Sequence, residues 1–154
     1  MDRSGPDRRR TQSHAVRRTF GELGTTAIRT RIRESNAYAA HWITIPDLVW
    51  VRWPREDGRY AYCALRRRDG WLSGEIGSAP QPLALDELKL VGSLGEASGE
   101  GTRIALGALL GVGERWWPLG DSEKALIERL DWIALQLEQH LPRYLAATAL
   151  PPAA

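Results

Sequence analysis

Leu48-Val49-Trp50-Val51-Arg52-Trp53-Pro54-Arg55-Glu56-Asp57-Gly58 is the stretch that decides the fold. From Trp42 onward the pattern has a period of two. Val49, Val51 and Trp53 alternate with Leu48, Trp50 and Arg52, which places successive side chains on opposite faces of a strand. Pro54 to Gly58 then supplies turn chemistry ending in an Asp-Gly pair, the signal for a reversal into a hairpin. Tyr60, Tyr62 and Ala64 next alternate with Ala61, Cys63 and Leu65. Arg67-Arg68-Asp69-Gly70 makes a second turn, and Trp71 to Ile76 reads as a third strand. The three strands follow one another as an antiparallel meander.

Beyond the meander, Ser78-Ala79-Pro80-Gln81-Pro82 breaks the sheet, and Leu83 to Val91 holds a short helical turn started near Asp86. Gly92 to Gly101 has four glycines and two serines and reads as a loop. Thr102 to Val112 reads as a fourth strand, with Ile104, Leu106, Ala108 and Leu110 on one face. Gly107 and Gly111 lie on the other, where a helix or ring could come close. Ser122 is a candidate N-cap, and Glu123 suits the positive end of a helix. Leu126, Leu130, Ile133, Leu137 and Leu141 then form a helical stripe, with Ile127 and Ala134 beside it, until Pro142 stops the helix. Trp132 and Leu135 fall off the stripe as a second apolar patch. Either the returning segment Tyr144 to Leu150 and the N-terminal helix cover that patch, or a partner does. Trp116 and Trp117 are placed to lock the helix onto the sheet.

Toward the N-terminus, residues 1–12 combine Gly, Pro, Ser and charge with almost no apolar content, and read as a disordered basic tail. Ser13 caps a helix from His14 to about Leu23, with Val16, Phe20 and Leu23 at helical spacing and Gly24 at its end. Residues 26–35 stay open. Ile28, Thr30 and Ile32 alternate with Arg29, Arg31 and Arg33 as in a strand, while Ile28 and Ile32 also fit a helix capped by Thr25 or Thr26. The expected fold is α+β: a meander of about four strands packed against an N-terminal helix and a long C-terminal helix. Residues 13–150 make a single domain.

At 154 residues the chain is long enough to bury a core without metals or disulfides. Cys63 stands alone, which fits a reducing compartment, and no apolar run reaches membrane-spanning length. The expectation is a cytoplasmic protein without membrane attachment. The net charge of +2 hides a polarity: residues 1–33 carry +6, residues 34–69 carry +1 and residues 70–154 carry −5. Only Lys89 and Lys124 among the 21 basic residues are lysine. Arginine grips phosphates and carboxylates through a planar fork, but a GC-rich genome gives the same bias.

No constellation in the sequence supplies chemistry. His14, His41 and His140 lack metal-ligand spacing. Cys63 reads as a buried structural thiol. The glycine-rich loop has no Gly-Lys-Ser/Thr ending. Glu75 and Glu114 read as solvent-facing carboxylates. No catalytic residue, metal site or cofactor is therefore expected. Arg8, Arg9 and Arg10, with Arg66, Arg67 and Arg68, are the candidates for a nucleic-acid surface with stacking rings, although the body of the domain is acidic and the clusters lie on separate elements.

Glu114-Arg115-Trp116-Trp117-Pro118-Leu119 before the last helix, His140-Leu141-Pro142 closing it, and the strand Trp71 to Gly77 together resemble a family of small bacterial domains of unknown function. Its members often lie beside toxin genes and are classed with immunity proteins. The likeness follows the order of elements from Ser13 to Leu145, and in residues it covers the C-terminal third. It implies a non-enzymatic protein that neutralises a toxin or effector by protein contact. Such a surface uses aromatic and arginine anchors, and Trp50, Arg52 and Tyr60, or Trp132 with Leu135, are the candidates for it. The alternative is a nucleic-acid-associated protein that uses the arginines named above. Oligomeric state is not readable from the sequence.

Overall fold

The meander is present and is extended on both sides. The structure, a computed structural model, describes residues 20–97 and 100–149. Helix α1 occupies residues 20–31, followed by a 3-10 turn at Arg33–Asn36. Strands β1 (His41–Ile45), β2 (Leu48–Pro54), β3 (Tyr60–Arg68) and β4 (Trp71–Ala79) then run antiparallel, each beside the last. After β5 (Lys89–Val91) and β6 (Thr102–Ala105) come a short helix α2 (Leu106–Leu109), β7 (Trp117–Pro118) and the long helix α3 (Glu123–Ala147). The fold is α+β, but among the described residues the sheet has seven strands instead of four. Its order is β1-β2-β3-β4-β6-β5, with only the β5–β6 pair parallel. The outer edge of β4 is divided: β6 pairs with Glu75 to Ser78, and β7 pairs with Trp71 and Leu72.

Register separates the two faces of the sheet. Val49, Val51 and Trp53 stand opposite Leu65, Cys63 and Ala61, and Cys63 stands opposite Ile76, itself opposite Ile104. This row is buried under the α3 stripe of Leu126, Leu130, Ile133, Leu137 and Leu141. Each valine, leucine or isoleucine so taken out of water contributes roughly 1.5–3 kcal/mol. The Ser122 hydroxyl accepts from the Ala125 N–H at 3.1 Å and caps the helix as its sequence suggests. Ala134 joins the buried stripe, whereas Ile127 is exposed. At Gly74 the helix comes so close that an added Cβ would lie 2.8 Å from Ile133 Cγ2.

Several local readings are corrected. Residues 26–31, left open between strand and helix, are helical, and α1 does not end at Gly24 but passes through it, where the missing side chain lets it rest against Val49 and Leu65. Thr25 and Thr26 lie inside α1, their hydroxyls donating to the carbonyls of Gly21 and Glu22. Strand β6 ends at Ala105, and the chain turns into α2, with Gly107 tight against the Gly113 carbonyl. Pro142 lies inside α3. The helix continues past it because its last turn is held from outside. The buried Tyr144 hydroxyl donates to the Thr102 carbonyl at 2.8 Å. Arg55 donates to the Leu145 carbonyl and, at 2.9 Å, to the hydroxyl of Thr148. The 1–12 tail and the helix start at Ser13 lie outside the described residues. Among the described residues no helix is long and apolar enough to cross a membrane.

Candidate functional site

The sheet face away from α3 is half covered. Leu85 and Leu88 pack with Trp50, Tyr62, Ala64 and Ala79, flanked by Ile43, Leu48, Tyr60 and Leu83. The Tyr62 hydroxyl accepts from the Leu83 N–H, and burial raises its pKa. Trp50 is 4% exposed here, its ring 5.8 Å from His41 and 6.1 Å from Tyr62. It is part of the floor. Arg52 and Tyr60 are half-buried.

The other half of this face carries charged side chains, with Arg66 and Arg103 partly exposed and Glu75 buried between them. Glu75, opposite Ala64 on β3 and Ala105 on β6, is 7% exposed. Its Oε1 lies 2.7 Å from Arg66 Nε, and its Oε2 accepts from Arg103 Nη1 at 2.9 Å. The expectation that Glu75 faces solvent is corrected, because two arginines on neighbouring strands make its burial affordable. Glu114 is exposed.

One hairpin turn further along, Arg68 and Trp71 are direct partners across β3 and β4. The Arg68 guanidinium lies over the Trp116 ring, 4.7 Å from its centroid. Arg68, Trp71 and Trp116 line a groove of about 300 Å³. Trp71 is 51% exposed, among the most exposed large hydrophobic side chains of the described residues. Trp117, the next residue, points the other way and packs against Trp132 of α3 with ring centroids 5.3 Å apart. The two adjacent indoles therefore divide the work: Trp117 secures the helix, and Trp116 furnishes the open face.

The remaining candidates are dispersed. Trp132 and Leu135 are half-buried on α3, and Arg129 lies over the Trp132 ring. The three hairpin arginines go three ways: Arg66 to Glu75, Arg67 to Asp47 at 3.3 Å, and Arg68 to Trp116. Arg8, Arg9, Arg10 and His14 lie outside the described residues. His41 sits beside Trp50, whereas the Nδ1 of His140 is 2.8 Å from the Gln136 carbonyl within α3. Cys63 is fully buried, and burial pushes its thiol pKa well up, away from nucleophilic use. Among the described residues no three His, Cys, Asp or Glu side chains gather as metal ligands. Sequence reasoning missed the Arg68–Trp71–Trp116 group. Its signal was available in part, since Arg68 and Trp71 flank the Asp69-Gly70 turn and must face each other. Compared with known protein families, with curated proteins and with solved structures, the chain matches none.

Proposed function

We propose that this chain is a non-enzymatic binding domain that neutralises a toxin or effector protein by direct contact, in a bacterial cytoplasm. The observation that carries this reading is the half-exposed Trp71 next to an Arg68 already stacked on Trp116. Tryptophan and arginine are the residue types that dominate binding energy at protein interfaces, and here they are held in place before any partner arrives. The nucleic-acid alternative has less support. Arg66 and Arg67 are each paired with a carboxylate, and they lie on opposite faces of β3, so the hairpin arginines do not line up as one phosphate-tracking row.

Retention from bacterial lysate tests the reading. A protein held by the wild-type bait at physiological salt and lost from a bait carrying both Arg68→Ala and Trp71→Ala supports it. Equal retention by the two baits, or none by either, overturns it.

A further inference from the structure

Resting on the protein-binding reading above, we propose that the groove between Arg68, Trp71 and Trp116 receives an acidic segment of the partner, one apolar side chain entering between the indoles and flanking carboxylates meeting the arginines. Charge complementarity argues for this occupant. Among the described residues this half of the face holds three guanidinium groups, Arg66, Arg68 and Arg103, with the carboxylate of Glu75 between two of them and that of Asp69 in the adjoining turn. Arg66 and Arg103 share the Glu75 carboxylate, and the three arginines keep one positive charge in excess of the two carboxylates. Arg68 has no carboxylate partner among the described residues. Arg68 is exposed while its guanidinium lies 4.7 Å from the Trp116 centroid, and a guanidinium with N–H groups to spare matches a carboxylate in a two-bond fork. The groove of about 300 Å³ has room for one side chain, not for a folded domain. Arg67 lies on the opposite face of β3, opposite Leu72, and is paired with Asp47, so it does not extend this basic group. The face offers a local acidic and apolar match, not an extended polyanion path.

The probe is a fluorescein-labelled peptide with one leucine between two pairs of glutamates, titrated into the full chain and followed by anisotropy. Versions with glutamine or lysine in place of glutamate, and an oligothymidylate, are run beside it. Arg68 and Trp71 are exposed, so Arg68→Glu and Trp71→Ala leave the core intact. The glutamate peptide binds, the glutamine peptide binds about tenfold more weakly or worse, and the lysine peptide does not bind. Arg68→Glu abolishes binding of the glutamate peptide, and Trp71→Ala weakens it about tenfold. Equal affinity for the glutamate and glutamine peptides overturns the inference. So does binding that is indifferent to Arg68→Glu, or oligothymidylate binding through these residues in place of the peptide. If the peptide fails while a lysate protein is still lost from the double-variant bait, the acidic segment alone is wrong. If that retention fails as well, the protein-binding reading falls with it.

Discussion

Arg31 of α1 holds Asp131 of α3 through two parallel hydrogen bonds, Nε to Oδ1 at 2.9 Å and Nη2 to Oδ2 at 2.8 Å. The residues are 100 apart in sequence, so this fork ties the first described helix to the last across their exposed sides. The hydrogen bond and charge of Arg31 hold the Asp131 carboxyl below the usual carboxylate range. A depressed carboxylate contributes stability that is fully present above its unfolded pKa of about 3.9 and is lost as the pH falls through the folded value. Asp131→Asn therefore lowers the urea midpoint slightly at pH 7, and the difference from wild type closes on acidification. Both side chains are more than a third exposed, so the effect is small.

Tyr144 gives the opposite pH signature. Its buried hydroxyl donates to the Thr102 carbonyl, and burial pushes its pKa up to about 12. An unfolded tyrosine titrates near pH 10, so the folded chain keeps a proton that the unfolded chain gives up. The resulting stability is complete below about pH 10 and falls as the pH rises toward 12. Tyr144→Phe costs about 1–2 kcal/mol at pH 7. It also flattens the alkaline fall, which denaturant titrations at pH 8, 10 and 11 measure.

Gly74→Ala tests the closeness of helix and sheet. The new methyl meets Ile133 at 2.8 Å and Leu137 at 3.0 Å in a packed core, and its insertion costs about 1–3 kcal/mol. Combining it with Leu137→Ala costs less than the sum of the two single changes, because the truncated leucine makes room for the methyl. Thermal or urea unfolding of the four proteins reads this directly.

Glu75→Ala strands two guanidinium groups. Both keep some access to water, with side-chain exposures of 26% for Arg66 and 19% for Arg103. The loss is therefore about 1–3 kcal/mol, below that for a fully buried pair. Equilibrium unfolding measures it.

Arg68→Ala and Trp71→Ala, in contrast, each cost about 1 kcal/mol or less, since neither side chain belongs to the core and what is lost is the Arg68–Trp116 contact or the covered part of the Trp71 ring. A larger loss in urea unfolding would show that the open face is built for folding and not for contact.

The meander and the last helix were legible because each carries redundant local signals. Strands β2 to β4 have strict alternation and two turns of fitting chemistry, and α3 has a capping serine and a continuous leucine stripe. Strands β5 and β7 are three and two residues long, too short for any period to show. Strand β1 needed the reversal at Pro46-Asp47 to be recognised. Pro142 was read as a stop because its local signal is strong, but Tyr144 and Arg55 override it through contacts far apart in the chain. Trp50 looked like a contact residue for want of any sign that Leu85 and Leu88 cover its neighbourhood. The burial of Glu75 depends on Arg103, 28 residues later, arriving on the next strand, and no local pattern encodes that pairing.

The divided edge of β4 has one more consequence. Trp116 precedes a strand that rejoins the same edge β6 has left, so the excursion between them is pinned at both ends by the scaffold. An indole mounted this way has little freedom left to lose on contact. Val112, Glu114 and Arg115 are exposed in that excursion and can vary while Gly111 and Gly113, at positive φ, and the sheet that carries them stay constant, much as an interchangeable bit is fitted to a fixed handle.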